Sequence, residues 1–219
     1  MLSEHKGFHC QHRSDDFPAI AAIVTPHRPL VVVELGTDTG GFAGWLAALV
    51  APWGGVVHTF DITTKIKPKL LAAFKNLRYH EADVLAGVHP DVAALVSQPG
   101  VLLYCDNGNK QHEVELYAPL LLAGSLLAVH DYNAEIKGEW VEPHVAALGY
   151  APEGHDRMEA LRNEWYPEPM TRLWLRKSIL RPAVPAPAPA APKKAAASPV
   201  AKTAPAPAAA AKPPARRKR

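Results

Sequence analysis

The chain has 219 residues, of which 48% are hydrophobic, and it carries 24 lysines and arginines against 21 aspartates and glutamates. No stretch approaches the roughly 18 consecutive apolar residues that a membrane-spanning helix needs, and the polar N-terminus lacks the apolar run of a secretory signal. Two cysteines, Cys10 and Cys105, are too few for a disulfide framework and suit a reducing compartment, so we predict a cytoplasmic protein.

Charge divides the chain near residue 180. Residues 181–219 contain nine lysines and arginines, ten prolines and no acidic or aromatic residue, which leaves 15 basic and 21 acidic residues in the remainder. A segment of this composition buries too little apolar surface to offset its ordering entropy. We predict a flexible polar leader over 1–16, a folded domain over 17–180 and a disordered basic tail over 181–219. The tail either attracts nucleic acid or another polyanion through counterion release, or is only a solvated terminus.

Short β-branched runs alternate with longer helical ones along the folded domain. Strands are predicted over Leu30–Leu35, Val56–Phe60, Leu77–His80, Val101–Cys105, Leu126–His130 and Thr171–Arg176. Helices are predicted over Gly40–Val50, Pro68–Lys75, Val88–Ser97, Gln111–Leu122 and Lys137–Leu148. This alternation indicates an α/β fold with a doubly wound, mostly parallel, Rossmann-like sheet of about seven strands and helices on both faces.

Aspartates stand at or just beyond the ends of four predicted strands, at Asp61, Asp83, Asp106 and Asp131. Open α/β sheets bind ligands at the carboxyl edge of their strands, where these side chains would lie. Aspartate is also common at strand ends as a turn former and helix cap. Turn and cap roles explain any one of these aspartates, but they explain less well why all four occur together with a glycine loop. We therefore predict a ligand site at this edge.

The glycine loop follows the first predicted strand and reads Glu34-Leu-Gly36-Thr-Asp38-Thr-Gly40-Gly41. The dinucleotide fingerprint G-x-G-x-x-G would place a glycine at position 38, where the backbone must approach a pyrophosphate. Asp38 instead brings bulk and a negative charge. The loop therefore disfavours NAD and FAD and suits an uncharged to cationic ligand.

The same run resembles motif I, [ED]-x-G-x-x-x-G, of class I S-adenosylmethionine-dependent methyltransferases. In that family the loop wraps the methionine part of the cofactor, one acidic residue after the second strand binds the ribose hydroxyls, and another acidic residue lies near the adenine. The resemblance implies that Asp61 binds the ribose and that Asp83 lies near the adenine. The cofactor-binding residues it implies are Glu34, Gly36, Thr37, Gly40, Gly41, Asp61 and Asp83.

Two further motifs narrow the resemblance to one branch. Cys105-Asp-Asn-Gly-Asn-Lys110 resembles a C-D-G-G-N-K motif, with Asn107 where that branch usually has glycine, and His130-Asp-Tyr132 resembles its H-D-Y motif. The branch is akin to small-molecule O-methyltransferases and the cephalosporin-hydroxylase-like group. The resemblance covers residues 17–177 and implies a Rossmann-like methyltransferase fold and O-methylation of a small molecule by S-adenosyl-L-methionine.

Methyl transfer to a hydroxyl needs an acceptor that is positioned and whose proton is removed or polarised. We assign the catalytic roles to Asp106, Lys110 and His130. Asp106 and Asp131 hold Mg²⁺ in one interpretation, and His130 is a metal-free general base in a second. In a third, His130 and Asp131 only tie loops together. Lys110 either begins a helix or contacts the cofactor carboxylate or an anionic substrate.

Other features leave further alternatives open. The leader contains His5, His9, Cys10 and His12. These side chains either bind Zn²⁺ or belong to a flexible polar segment. Trp165 and Tyr166 either wall a substrate pocket or pack in a loop. The alternative functions are a non-catalytic cofactor-binding accessory protein tethered to nucleic acid by the tail, and an NAD-dependent oxidoreductase.

Overall fold

The computed structural model describes residues 2–5, 8–63, 65–164, 167 and 169–178. Met1–Ala183 forms one compact unit, and Val184–Arg219 is a second unit that lies outside the described residues. The predictions for the basic tail and for Trp165 and Tyr166 also fall outside them. Within the described ranges, the helices are too short or too polar to cross a membrane.

The described residues form strands and helices in the following chain order. The strands are β1 (Leu2–His5), β2 (Phe8–Arg13), β3 (Val31–Leu35), β4 (Val56–Asp61), β5 (Leu77–Glu81), β6 (Val101–Cys105), β7 (Leu126–His130), β8 (Tyr150–Pro152) and β9 (Thr171–Arg176). The helices are α1 (Asp16–Val24), α2 (Gly41–Val50), α3 (Pro68–Ala73), α4 (Pro90–Val96), α5 (Lys110–Tyr117), α6 (Gly138–Ala147) and α7 (His155–Glu159).

Seven of the strands form one sheet in the order β5-β4-β3-β6-β7-β9-β8. Strands β3 to β7 are parallel, and β9 runs antiparallel between β7 and β8. Because a parallel strand needs a crossover of a dozen or more residues to reach the next one, helices separate these strands in the sequence. The predicted doubly wound, mostly parallel sheet is confirmed.

Side chains alternate between two apolar cores on opposite faces of the sheet. Val32 and Leu102 pack into the core that contains residues of α1, α2, α3 and α7. Their chain neighbours Val33 and Leu103 pack into the core that contains residues of α4, α5 and α6. Successive residues of a strand point to opposite faces. The central strands are therefore buried on both sides, which explains their continuous apolar sequence.

The prediction of a flexible leader over 1–16 is wrong for the part that the structure describes. Strands β1 and β2 pair as an antiparallel hairpin, and α1 begins at Asp16. β2 lies close against the start of α2: a Cβ placed on Gly41 would fall 1.9 Å from the carbonyl oxygen of His9. Cys10 and His12 are buried, at 2% and 1% exposure. The leader is ordered because α2 covers one face of it. The polar sequence of the leader does not predict this tertiary contact.

The chain crosses over between β3 and β6, and this crossover creates the crevice for a site. From β3 the chain proceeds outward through β4 and β5, and it then returns to place β6 on the other side of β3. Helix α2 follows β3 onto one face, and α5 follows β6 onto the other. The two outgoing loops diverge, which is the arrangement in which open α/β sheets bind ligands.

Candidate active site

A cavity of about 390 Å³ lies at the carboxyl edge above β3 and β6, within the size range of small-molecule sites. The lining includes most of the predicted site residues, namely Glu34, Gly36, Thr37, Gly41, Asp61, Asp106, Lys110, His130 and Asp131. It also includes residues 9–12 of β2, which no sequence motif placed there. Of the predicted residues, Gly40 and Asp83 are not part of the lining.

Asp83 and Gly40 have local structural roles. Asp83 is exposed, and its carboxylate accepts a hydrogen bond of 3.0 Å from the backbone N–H of Leu85. Gly40 precedes α2 with a φ of +84°, and a Cβ there would lie 2.8 Å from Cγ1 of Ile66. The structure therefore does not bring Asp83 to the cavity, because β5 lies two strands away from the crevice between β3 and β6.

The glycine loop is held by the protein's own backbone. Gly36 has a φ of +96°, and a Cβ there would lie 2.4 Å from the carbonyl oxygen of Asp106. Its N–H donates a 2.8 Å hydrogen bond to the carbonyl oxygen of Phe60. Only glycine combines this left-handed conformation with so close an approach. The loop after β3 is thereby locked against the loop after β6, and both face the cavity.

Asp61, at the end of β4, acts as an acceptor for this loop. One of its carboxylate oxygens accepts from the backbone N–H groups of Thr37, at 3.1 Å, and Asp38, at 2.9 Å. The other accepts from the backbone N–H of Thr63 at 3.0 Å and from the Thr63 hydroxyl at 3.4 Å. These four bonds use the lone-pair positions of the carboxylate, so a ligand hydroxyl would bind by replacing the long bond from the Thr63 hydroxyl. Asp61 shapes the loop and still lines the cavity.

Asp38 occupies the loop position that disfavours a pyrophosphate. It has a φ of +45°, and its carboxylate accepts hydrogen bonds from Gln11 of β2 at 3.0 Å and from Lys65 at 3.4 Å. These bonds connect the loop to the N-terminal hairpin on one side and to the segment after β4 on the other. The negative charge stays beside the cavity.

Glu34 is buried in β3, with an exposure of 1%. Burial raises the pKa of its carboxyl group well above the usual value. Its Oε2 atom has no hydrogen-bond partner among the described residues. A buried polar atom that lines a cavity without a partner is suited to bind a polar group of a ligand.

The other wall of the cavity holds a cluster of charges, which we call the acid wall: Asp106, Lys110, His130, Asp131 and Glu135. The Lys110 Nζ atom lies 2.7 Å from Glu135, 2.9 Å from Asp131 and 3.6 Å from Asp106. The Nδ1 atom of His130 lies 3.0 Å from Asp106 and 3.3 Å from Asp131. Two cations are thus set among three carboxylates.

The acid wall shifts the proton affinities of its members. Burial opposes the charge on His130, but the adjacent Asp106 and Asp131 carboxylates raise the pKa of its imidazole to about 10. Burial likewise opposes the charge on Lys110, yet Asp106, Glu135 and Asp131 raise the pKa of its ammonium group. His130 therefore carries a proton at neutral pH in this arrangement. A protonated imidazole cannot accept a proton, so this arrangement disfavours the interpretation of His130 as a metal-free general base.

His12 was considered from the sequence only as a possible zinc ligand of the leader, and no motif placed it in this site. Its Nε2 atom lies 3.1 Å from the hydroxyl of Tyr104 and 3.5 Å from a carboxylate oxygen of Asp106, and its ring stacks on Phe42 with centroids 3.7 Å apart. Burial, followed by the charge of His130, lowers the pKa of its imidazole well below the usual value. The only sequence signal was the period of two that puts Cys10 and His12 on one face of a strand.

Mg²⁺ does not fit the predicted pair Asp106 and Asp131. Mg²⁺ needs oxygen donors in nearly ideal octahedral geometry. The Lys110 ammonium group and the His130 ring already lie between the two carboxylates. Lys110 and His130 therefore already provide, beside Asp106 and Asp131, the positive charge that Mg²⁺ would supply there.

Searches against protein-family models and against curated proteins gave no match. Solved structures do match. An apo structure of CmcI has a TM-score of 0.56 at 14% identity, covering 80% of this chain and 76% of that one. A putative O-methyltransferase from Klebsiella pneumoniae has a TM-score of 0.54 at 14% identity, covering 81% and 84%. A further CmcI structure, named "cmcI-D160 Mg-SAM", has a TM-score of 0.52 at 14% identity, covering 80% of this chain and 77% of that one. The chain therefore has the Rossmann-like methyltransferase fold.

Proposed function

We propose that this chain is an S-adenosylmethionine-dependent methyltransferase that methylates an oxygen atom of a small molecule. The observation that carries the proposal is a single cavity bounded by the glycine loop and Asp61 on one wall and by the acid wall on the other. Transfer of a methyl group requires that cofactor and acceptor meet in one space. The loop wall would hold the cofactor and the acid wall would face the acceptor.

The charge of the cavity favours S-adenosylmethionine over NAD. Its lining carries five carboxylates besides the buried Glu34, and these outnumber its three cations, Lys65, Lys110 and His130. A cationic sulfonium is attracted to such a cavity, whereas a pyrophosphate is repelled by it. Asp61 supplies acceptors for the ribose hydroxyls, and the unpartnered Oε2 of Glu34 supplies one for a donor group of the cofactor. These residues fit the cofactor that the matching fold implies.

The acid wall would act on the acceptor electrostatically. Bound S-adenosylmethionine supplies the methyl group to be transferred. His130 and Lys110 are proton donors held by carboxylates, and they would stabilise the negative charge that develops on an acceptor hydroxyl as it becomes a nucleophile. Asp106 contacts both and would keep them oriented toward the cavity. His130 in this role is an electrostatic stabiliser and not the initial base. As the methyl group is transferred, the acceptor proton would pass to a carboxylate of the acid wall or to water, and S-adenosylhomocysteine would leave as a neutral thioether.

Calorimetric titration with S-adenosylmethionine, S-adenosylhomocysteine and NAD tests the cofactor. We expect both adenosyl compounds to bind with one site per chain and NAD not to bind. Tighter binding of NAD than of S-adenosylmethionine would contradict the proposal and favour an oxidoreductase.

The catalytic part of the proposal needs a separate experiment. The chain would be incubated with S-adenosylmethionine and a panel of small hydroxylated compounds, and S-adenosylhomocysteine formation would be measured. Asp106→Asn and His130→Ala should reduce turnover more than they reduce cofactor affinity, because both residues lie in the acid wall. If both variants bind cofactor less tightly and turn over at the wild-type rate when saturated, the assignment of the two walls is wrong.

A further inference from the structure

The acid wall and the N-terminal hairpin together bring three metal-ligating side chains to one point. One possible ligand atom from each of His12, Asp106 and His130 lies within 4.8 Å of the other two. Asp106 is central, since one of its oxygens lies 3.0 Å from His130 Nδ1 and the other 3.5 Å from His12 Nε2. Atoms that are bound tetrahedrally at about 2.0–2.2 Å from one zinc ion are about 3.3–3.6 Å apart, so both distances from Asp106 are close to what such an ion requires.

We infer that His12, Asp106 and His130 form a site for one divalent transition-metal ion of the zinc type, with β2 contributing a ligand. The inference rests on the proposed function only for its role in methyl transfer, where the bound ion would replace the His130 imidazolium as the charge that stabilises the acceptor oxygen. The donor set is two imidazole nitrogens and one carboxylate oxygen, which suits zinc, cobalt or iron and does not suit Mg²⁺. It differs from both metal predictions made from sequence, each of which included only part of this set.

Charge supports a divalent cation at this point. Three carboxylates, Asp106, Asp131 and Glu135, outnumber the two cations of the acid wall, Lys110 and His130, so the wall carries a net negative charge. His12 and His130 are both buried beside Asp106.

Geometry supports an open coordination position. All three residues line the cavity. Three protein ligands leave at least one position of a tetrahedral ion free, as in catalytic zinc sites. An acceptor oxygen that entered from the cavity would take this position, and the ion would lower the pKa of its hydroxyl group. The ligand-bearing hairpin would then be part of the acceptor side of the site.

Cobalt titration of the chelator-treated full chain tests the inference. We expect one equivalent of Co²⁺ to bind with visible d–d absorption, Zn²⁺ to displace it, and excess Mg²⁺ not to. His12→Gln and His130→Gln should each weaken Co²⁺ binding by about a hundredfold or more, beyond the range typical of mutated outer-shell partners. His112→Gln, at a histidine on α5 that is outside the cavity lining, is the matched control and should bind Co²⁺ like the wild type.

The outcomes separate the metal site from alternatives. Absence of a stoichiometric Co²⁺ complex, or loss of binding in Asp131→Asn but not in His12→Gln, would overturn the inference. Because His12→Gln changes a buried residue, spin-echo spectroscopy of the Cu²⁺-loaded wild type gives a second test: two coordinated imidazoles are expected, and fewer would overturn the inference. S-adenosylmethionine titration of the metal-free chain tests the proposed function separately. If the chain binds S-adenosylmethionine but forms no complex with Co²⁺, only the metal site is contradicted.

Discussion

The two walls of the cavity are held in place by different forces. The loop wall, formed by the residues from Gly36 to Gly41 with Asp61, is fixed by backbone packing and backbone hydrogen bonds. The acid wall is fixed by ion pairs among side chains that lie mostly on the residues after β6 and β7. Solvent and salt screen charge interactions but do not reduce steric overlap. Mutations in the loop wall should therefore change the stability of the fold, and mutations in the acid wall should have effects that depend on salt and pH.

The largest expected effect lies in the loop wall, at Gly36. Gly36→Ala should destabilise the fold by about 3–5 kcal/mol, since the new Cβ would overlap the backbone of Asp106 at a φ that alanine disfavours. Urea denaturation measures this change. Gly100→Ala is the control: its φ is also positive, at +66°, but the space around it is open. It should cost only about 1–2 kcal/mol. Equal losses in the two variants would show that packing against Asp106 is unimportant.

The next largest effect lies in the acid wall, at Lys110. Lys110→Met leaves Asp106, Asp131 and Glu135 without their shared cation, and it should destabilise the fold by about 2–3 kcal/mol, toward the lower end for buried ion pairs because the carboxylates are partly exposed. Lys65→Met, which removes an exposed pair with Asp38, should cost less than about 1 kcal/mol. Thermal unfolding at two salt concentrations measures both. An equally small effect at Lys110 would mean that solvent already screens the acid wall.

Asp61 sharpens the comparison because it belongs to the loop wall and is also a candidate ligand group. Asp61→Ala should weaken S-adenosylhomocysteine binding by about 1.5–3 kcal/mol through lost charged hydrogen bonds. To separate the ribose from the loop, calorimetry would be repeated with the 2′-deoxy analogue. If Asp61 accepts the ribose hydroxyl, the wild type should discriminate between the two ligands and the variant should not. Unchanged discrimination in Asp61→Ala would limit Asp61 to holding the loop.

The smallest expected effect concerns Glu113, which is buried in α5 beneath the acid wall. Burial raises the pKa of its carboxyl group to about 8, whereas the unfolded chain ionises near the usual value. Between these values the folded state binds more protons, so stability should fall as pH rises, by about 1.4 kcal/mol from about pH 6 to pH 7. Denaturation curves of Glu113→Gln should lack this component, and those of Glu115→Gln, at an exposed residue of the same helix, should retain it. Parallel pH profiles for wild type and Glu113→Gln would refute the buried-charge explanation.

The strands were the most predictable elements. The bounds predicted for β6, β7 and β9 match the structure at both ends. β6 and β7 are buried at every position, so their sequences are unbroken apolar runs with clear limits. Helix α1 was not predicted although Ala19, Ile20, Ile23 and Val24 are buried at helical spacing, so its sequence does carry a local signal. The short elements β8 and α7 were not predicted because three to five residues are too few to show a periodic pattern.

The candidate site was predictable where a strand end determined it. Asp61, Asp106 and Asp131 lie at the carboxyl edge because parallel strands place their ends there, and all three line the cavity. Asp83 also follows a strand end, but that strand, β5, lies at the edge of the sheet, and Asp83 does not line the cavity. The sequence pattern does not specify the position of a strand in the sheet.

The sequence by itself determined the order of strands and helices, the parallel sheet and the residues that end its strands, because burial on two faces requires continuous apolar runs and glycine is needed where backbone segments touch. Only the tertiary structure decided which of those residues share a cavity and what charge each carries. It places His12, which the sequence assigned to a polar leader, beside Asp106. It also raised the pKa of His130 through two carboxylates, one of which is 24 residues away in the chain. Proximity across the sheet, and the desolvation that accompanies it, are set by folding and have no counterpart in local sequence.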